Sequence, residues 1–300
     1  MEPSESPDTA LSVPVHGGVL HGVAWGGDDG VPVLAIHGIT ASHLSWAAVT
    51  RLLPGGHRVL APDLRGRGRS NTLPGPSSMA RHAQDMVALL DAAGVERAVV
   101  AAHSMGGFVA VALADAYPDR VERLVLADGG LPLTLPEGMD LDTSYEVGLG
   151  PALARLSMTF PDHAAYRDFW KQHPGLGPYW NADVEAYVEA DLEPIPGPGG
   201  RAWRSSVRAA LVKQDYYDQF TDAVVTRLET LTRPAVLLRA PRGLLDQPQA
   251  LYADGFLEEW MAKVPLLTGW TVEDVNHYTL LLGPAGAQAV AAAIAGAAAG

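Results

Sequence analysis

Residues 102–107 of this 300-residue chain read Ala-His-Ser-Met-Gly-Gly. They follow a short apolar run at 98–101 and precede an apolar helical pattern at 108–113. A strand that turns directly into a helix at Ser-x-Gly predicts a nucleophile elbow, a tight and strained turn that lifts the serine hydroxyl above the sheet edge. Strand and helix nearly touch at such a turn, so the residues two before and two after the serine must be small. Ala102 and Gly106 meet that requirement around Ser104.

The composition predicts a globular protein with a sizeable core. Apolar residues make up 48% of the chain and charged residues 18%. The net charge of -13 argues against nucleic acid and anionic membrane surfaces as partners, and leaves a neutral small-molecule substrate open. The chain has no cysteine, which excludes disulfides, thiolate metal sites and a cysteine nucleophile. This fits a reducing compartment, so we expect a cytoplasmic location.

The two ends of the chain do not predict a membrane segment. Residues 1–8 are acidic and proline-rich, which favours a frayed leader over a signal peptide. The alanine-rich stretch 285–300 is too short to span a bilayer and is interrupted by Gly286 and Gly296. We therefore expect a soluble protein whose last helix packs on a sheet.

The hydrophobic pattern predicts one sheet domain interrupted by an insertion. Short apolar runs alternate with helical patterns up to residue 130, which is typical of a parallel sheet with helices on both faces. Residues 131–230 are helix-like or irregular, and the strand rhythm resumes at 234–238. The prediction is an α/β core formed by residues 1–130 and 231–300, with a mostly helical cap at 131–230.

A candidate base follows from the position of one histidine among ten. Acyl transfer needs a nucleophile, a base within its reach, a group that orients the base and donors for the oxyanion. Ser104 is the candidate nucleophile. His277 lies in the predicted loop between the last strand and the terminal helix, and such loops share the edge of an open α/β sheet where sites are found.

Two aspartates compete for the role of orienting acid. Asp246 follows the strand predicted at 235–238, and Asp128 directly ends the strand after the elbow helix. The order Ser104, Asp246, His277 is the Ser-Asp-His order of one large hydrolase class, which favours Asp246 and leaves Asp128 as the alternative.

Backbone amides are the candidate oxyanion donors. One belongs to Met105, directly after the nucleophile and at the start of its helix, where the dipole favours negative charge. The other is assigned to Ile39, in the loop after the strand at 31–36. His37-Gly38 in that loop lets the backbone approach a substrate closely.

These motifs together resemble the α/β-hydrolase fold family, in particular its serine hydrolases with a cap domain. The matching motifs are His37-Gly38, the run Asp-Leu-Arg-Gly-Arg-Gly-Arg-Ser at 63–70, His103–Gly107, Asp246, and Asn276-His277. The resemblance implies a mostly parallel, eight-stranded sheet flanked by helices, with one antiparallel strand, a Ser-His-Asp triad and no cofactor. The family usually has Gly-x-x-Asp after the strand of the acid, and the segment leading to Asp246 is longer.

The substrate pocket is predicted only in outline. The inserted segment is rich in aromatic residues, which either line an apolar pocket or form the core of a small cap. The candidate lining residues are His37, Gly38, Trp46, His103, Trp170, Trp180 and Tyr278. No cluster with metal-ligand spacing occurs, so no metal is predicted.

The sequence thus predicts a serine hydrolase that cleaves an ester-type bond, namely a carboxylic ester, lactone or thioester, of a small and largely apolar substrate. The same triad also supports hydrolysis of a carbon–carbon bond or a haloperoxidase-like perhydrolase activity, because the fold does not choose between them. A third hypothesis is a ligand receptor that keeps the fold without catalysis, which an intact triad disfavours. The oligomeric state is not predicted.

Overall fold

A computed structural model describes residues 8–135, 137–197 and 199–296. The leader predicted at the start of the chain falls almost entirely on residues 1–7, outside the described residues, and so do the last residues of the alanine-rich end, 297–300. No helix in the described ranges is both long and apolar enough to cross a membrane.

Eight strands form one sheet in the order β1-β2-β4-β3-β5-β6-β9-β10. Strand β2 runs antiparallel to both of its neighbours, β1 and β4, while the pairs from β4 to β10 are parallel. This confirms the predicted mostly parallel α/β architecture. The strands, including a separate hairpin formed by β7 and β8, are β1 Thr9–Val15, β2 Gly18–Trp25, β3 Val31–Ile36, β4 His57–Pro62, β5 Ala98–His103, β6 Val121–Ala127, β7 Leu192–Gly197, β8 Gly200–Ser205, β9 Ala235–Arg239 and β10 Leu267–Thr271.

The central strands are apolar throughout because both faces of the sheet are covered. Strand β3 shows the alternation directly: Leu34 and Ile36 belong to the core on one face, and Val33 and Ala35 to the core on the other. The helices in the described residues are α1 Ala47–Leu52, α2 Met79–Ala92, α3 Met105–Ala116, α4 Leu141–Gly148, α5 Gly150–Ser157, α6 His163–Lys171, α7 Ala182–Glu189, α8 Ala209–Asp218, α9 Asp222–Glu229, α10 Phe256–Lys263, α11 Thr279–Leu282 and α12 Pro284–Ala295. Helices α2 and α3 contribute to the core on the first face of the sheet, and α1 and α12 to the core on the second.

The elements between β6 and β9 lie outside the large sheet, and we call residues 131–230 the inserted segment. Helices α4–α9 belong to it, together with the antiparallel hairpin β7–β8. The sequence indicated no strand there, because Pro194 and Pro196 interrupt the pattern of β7. Proline is tolerated in β7 because this strand pairs with β8 on one side, and on its other side a missing N–H costs no ladder hydrogen bond. The predicted division into core and cap domains stays a prediction.

Candidate active site

Ser104 occupies the predicted turn between β5 and α3. Its backbone adopts φ 55° and ψ -125°, a strained region that few non-glycine residues enter. The strand before it is buried over its whole length, and the helix begins at the next residue. Ser104 itself is half-exposed, because the turn raises its side chain out of the sheet.

The elbow is held by close backbone packing. A Cβ at Gly106 would clash with the carbonyl oxygen of Ile36, and one at Gly129 would clash with the carbonyl oxygen of Ser104. The Ser104 amide donates to the carbonyl of Ala127 at 3.0 Å, which ties the turn to the end of β6. The small residue expected two positions after the serine is therefore a steric requirement.

His277 lies beside the elbow, in the loop between β10 and α11. Its amide donates to the carbonyl of Arg242 at 3.1 Å, and its own carbonyl accepts from Nε2 of His103 at 2.9 Å. The imidazole is buried except toward a cavity that Ser104 also lines. The structure thus brings Ser104 and His277 to one cavity at the carboxyl edge of the sheet.

Asp128 is the carboxylate that contacts the histidine. Its Oδ2 lies 2.7 Å from Nδ1 of His277, and its Oδ1 accepts from the amide of Ala240 at 3.2 Å. The side chain is fully buried, at the point where the chain leaves β6 with a φ of 45°. With Nδ1 protonated and donating to this carboxylate, Nε2 keeps a lone pair that can accept a proton.

The structure corrects the expected position of Asp246. Its carboxylate does not contact His277; it accepts from Arg242 Nε at 2.7 Å, Asn276 Nδ2 at 3.0 Å and the Tyr179 hydroxyl at 3.0 Å. Partial burial by itself raises the pKa of Asp246, but these three hydrogen bonds outweigh it and lower the pKa below its usual value. Asp246 therefore binds the side chain of the residue before the histidine and makes no hydrogen bond to the histidine ring in the described structure.

The 37–40 loop lies close to the serine. Ile39 lines the cavity together with Ser104, and a Cβ on Gly38 would lie 3.2 Å from Cβ of Ser104. Within the described ranges of the chain, neither the Ile39 amide nor the Met105 amide donates a hydrogen bond to another group. Both are therefore available to an oxyanion.

His37 fixes the peptide that carries one of these amides. Its Nδ1 donates to the Gly38 carbonyl at 2.8 Å, and its Nε2 accepts from the Leu64 amide at 2.9 Å. The Gly38 carbonyl and the Ile39 N–H belong to the same peptide unit, so this clamp also sets the direction of the N–H. Burial lowers the pKa of His37 to about 4, which keeps the ring neutral.

His103 supports the site from behind. Burial, and next the adjacent His277, lower the pKa of His103 well below its usual value. The two rings lie 4.6 Å apart between centroids. His37 and His103 thus support loops of the site, and neither is among the residues that line the cavity at Ser104, where the sequence had placed them.

A cavity of about 340 Å³ opens above Ser104 and His277. It lies between the core and the inserted segment, from which helices α4 and α8 and their flanking residues supply Ser144, Gly148, Leu149, Tyr216, Gln219 and Phe220. On the core side, Phe108, Leu251 and Phe256 are among its apolar walls. None of the described residues that line it is Asp, Glu, Lys or Arg.

A family model of the α/β-hydrolase fold matches residues 31–284. This range includes the elbow, both aspartates and the histidine. The chain belongs to the α/β-hydrolase fold family.

Individual relatives of this α/β-hydrolase carry different activities in their names. Lipase LipV of Mycobacterium tuberculosis is 40% identical over 231 residues, which cover 74% of this chain and 78% of LipV. The 2-hydroxymuconate semialdehyde hydrolase of Pseudomonas sp. strain CF600 is 28% identical over 282 residues, or 88% of this chain and 90% of that enzyme. The names of these relatives do not agree on one activity or one substrate.

Other matches are shorter or show the fold alone. The chain spans less than half the length of the first curated relatives that it matches: the putative carbamate hydrolase RutD of Azorhizobium caulinodans is 40% identical over 100 residues, 33% of this chain and 38% of RutD. The crystal structure of E-2-(acetamidomethylene)succinate hydrolase superposes with a TM-score of 0.76 at 21% identity, covering 97% of this chain and 100% of that one.

In this α/β-hydrolase the aromatic residues expected in the pocket lie elsewhere. Trp46 is buried in the core on the α1/α12 face, and Tyr278 and Trp170 extend the same core. Trp180 is half-buried on the surface, where Lys171 lies over its ring. The aromatic residues that line the cavity include Tyr216, Phe220 and Phe256 instead. In the sequence, their apolar character alone does not distinguish them from the aromatic residues of the core.

The described residues also contain no group of three or more His, Cys, Asp or Glu side chains arranged to hold a metal ion.

Proposed function

We propose that this α/β-hydrolase is a serine hydrolase in which Ser104 is the nucleophile, His277 the base and Asp128 the orienting acid. One observation carries the proposal. His277, whose Nδ1 lies 2.7 Å from Oδ2 of the buried Asp128, lines the same cavity as a serine with φ 55°. A histidine oriented by a carboxylate beside a strained serine supports these three roles in acyl transfer.

The proposed reaction begins with transfer of the Ser104 proton to Nε2 of His277 as Oγ bonds to the substrate carbonyl carbon. The carbonyl electron pair moves to oxygen, where the amides of Ile39 and Met105 donate to it. Collapse of the intermediate breaks the ester-type bond, and the imidazolium protonates the leaving group. Water then loses a proton to His277, attacks the acyl-enzyme and releases Ser104. Asp128 stabilises the imidazolium in both halves of the reaction.

We propose a small, largely apolar substrate with a carboxylic ester, lactone or thioester bond. The uncharged lining of the 340 Å³ cavity supports this class, since a buried charge without a partner is costly. The likeness to LipV over three quarters of the chain supports ester hydrolysis. The full-length likeness to 2-hydroxymuconate semialdehyde hydrolase supports the alternative, carbon–carbon bond hydrolysis by the same triad.

A fluorophosphonate probe tests the nucleophile. We expect it to label the wild-type protein and not Ser104→Ala, and we expect hydrolysis of short-chain p-nitrophenyl esters to fall at least roughly 10⁴-fold in that variant. Ser157→Ala, at an exposed serine in α5, is the matched control and should keep both labelling and hydrolysis. Wild-type protein that is neither labelled nor hydrolytic would overturn the proposal and favour a receptor. Ester hydrolysis that survives Ser104→Ala would overturn the role of Ser104 and indicate another nucleophile.

A panel of matched substrates then separates the bond types. Wild-type kcat/KM is measured for an ester, a lactone, a thioester and a 1,3-diketone of similar size. Highest activity on an oxygen or sulfur ester supports the proposed class. Highest activity on the diketone would assign the protein to carbon–carbon bond hydrolysis.

A further inference from the structure

A buried arginine connects the inserted segment to the 37–40 loop. Arg67 lies in the glycine-rich run after β4, and its side chain is fully buried. Its Nε donates to the carbonyl of Ile39 at 2.9 Å, and its Nη2 lies 4.0 Å from the sulfur of Met105. One guanidinium therefore contacts both residues whose amides are the proposed oxyanion donors.

The other side of the same guanidinium contacts the inserted segment. Nη1 of Arg67 lies 2.5 Å from Oδ2 of Asp215, a fully buried carboxylate on α8. Ser77 donates its hydroxyl to Oδ1 of Asp215 at 2.7 Å, and Nε2 of His82 lies 3.1 Å from Oδ2. Burial alone raises the pKa of Asp215, but the charges of His82 and Arg67 reverse this and keep the carboxylate ionised.

A neighbouring pair shows that this arrangement is not general to the run 63–70. Arg65 and Asp85 form an equally buried ion pair, with Nη2 and Oδ1 2.8 Å apart. The remaining contacts of Arg65 are the carbonyls of His16 and Pro74. In the described part of the chain, Arg65 makes no hydrogen bond to the 37–40 loop or to the inserted segment.

We propose that Arg67 is a positioning residue through which Asp215 of the inserted segment holds the oxyanion donors in place. The inference rests on the proposed function. The Ile39 carbonyl is fixed by Arg67 and the preceding Gly38 carbonyl by His37, so the intervening Ile39 N–H is held from both sides. Oxyanion donors act only when they are preorganised, because a small displacement loses much of their effect. The inserted segment then contributes to the chemical step as well as to substrate binding.

The test uses p-nitrophenyl acetate, whose acyl group is too small to depend on the walls supplied by α4 and α8. Arg67→Lys keeps the charge but cannot hold Asp215 and Ile39 together, and we expect kcat to fall about 10- to 100-fold, a part of the loss seen when an oxyanion donor is removed. Arg65→Lys is the matched control, with kcat expected within about threefold of wild type. Asp215→Asn and Asp85→Asn repeat the comparison from the carboxylate side.

The outcomes separate this inference from the proposed function. The proposed function itself is tested by comparing wild type with Ser104→Ala, in which turnover should be lost. The positioning role would be overturned if kcat in Arg67→Lys and Asp215→Asn stayed near the wild-type value and only KM rose for longer esters. It would also be overturned if the variants of the Arg65–Asp85 pair lost as much kcat as those of the Arg67–Asp215 pair. Circular dichroism and thermal melting check the fold. Should either variant of this pair fail to fold, Ser77→Ala removes the hydrogen bond that orients Oδ1 of Asp215, so the carboxylate holds Arg67 less firmly. We expect a severalfold fall in kcat for p-nitrophenyl acetate in this variant, and an unchanged kcat overturns the proposal.

Discussion

At the scale of single residues, Asp128 combines a strained backbone with a buried charge. It enters the left-handed region at φ 45°, and its carboxylate is fully buried against His277 and the amide of Ala240. Each feature costs free energy, and each aims the carboxylate at Nδ1 of the histidine. A site in which one residue bears both costs is typical of a functional position.

We expect Asp128→Asn to lower kcat by about 10⁴-fold, because the amide fixes the wrong tautomer of His277. Asp246→Asn is the matched comparison, and there we expect less than about a tenfold loss, since Asp246 accepts hydrogen bonds from Arg242, Asn276 and Tyr179 and not from the ring of His277. Steady-state kinetics with a short-chain ester decide between them. The reverse ranking of the two variants would restore Asp246 as the acid.

His37 makes stability depend on pH. Its pKa is about 4 in the folded protein against an ordinary 6.5, so the unfolded chain binds a proton that the folded protein refuses between these values. Stability is therefore full above pH 6.5 and falls as the pH is lowered toward 4, with about 2 kcal/mol lost to this residue between pH 6.5 and 5. Urea unfolding at pH 7 and pH 5 measures the loss. His37→Gln should lose less than wild type, and equal losses would contradict the assignment.

The sequence could not determine which of the two aspartates contacts His277, for a physical reason. Asp128 and Asp246 both lie between Ser104 and His277 in the chain, and both follow a strand of the sheet. Chain order therefore does not distinguish them. The direction of each carboxylate does, and it is set by contacts between distant parts of the chain, such as that of Asp128 with the amide of Ala240, which only the folded chain reveals.

At the scale of elements, local signals were sufficient where the structure is local. The elbow is specified by residues 98–107, because strand, turn and helix follow each other directly and Gly106 must pass the backbone of β3. The hairpin β7–β8 gave no such signal, since Pro194 and Pro196 are poor strand formers and only pairing with β8 makes the strand.

The cavity walls were not predictable from the aromatic content of the inserted segment. Trp170 and Tyr216 lie on helices α6 and α8 of the same segment, yet Trp170 packs into the core and Tyr216 faces the cavity. Which side of a helix faces the site depends on how the helices cross, and that is a long-range property.

At the scale of the whole molecule, two electrostatic effects disfavour an anionic substrate. The net charge of -13 repels anions at long range, and the uncharged cavity offers no cation to pair with a buried carboxylate. Salt screens the first effect and has little influence on the second.

We expect kcat/KM to be at least about 100-fold higher for p-nitrophenyl hexanoate than for the p-nitrophenyl monoester of adipic acid. The reason is that burial of the extra carboxylate costs several kcal/mol. The two acyl chains have equal length, so size cannot explain a difference. The measurement is repeated at 0.05 and 0.5 M salt. A ratio near one contradicts the proposed neutral substrate class, and a ratio that vanishes at high salt assigns the preference to the net charge and away from the cavity.

The arrangement of Arg67 and Asp215 also sets a condition for engineering this protein. Ser104, Asp128 and His277 all lie outside residues 131–230, so the inserted segment could be exchanged for another without touching the proposed triad. Such a graft would leave the buried Arg67 without its carboxylate unless the donor segment brings one to the position of Asp215. A chimera designed for a new substrate should therefore be selected for that acceptor first and for the shape of its pocket second.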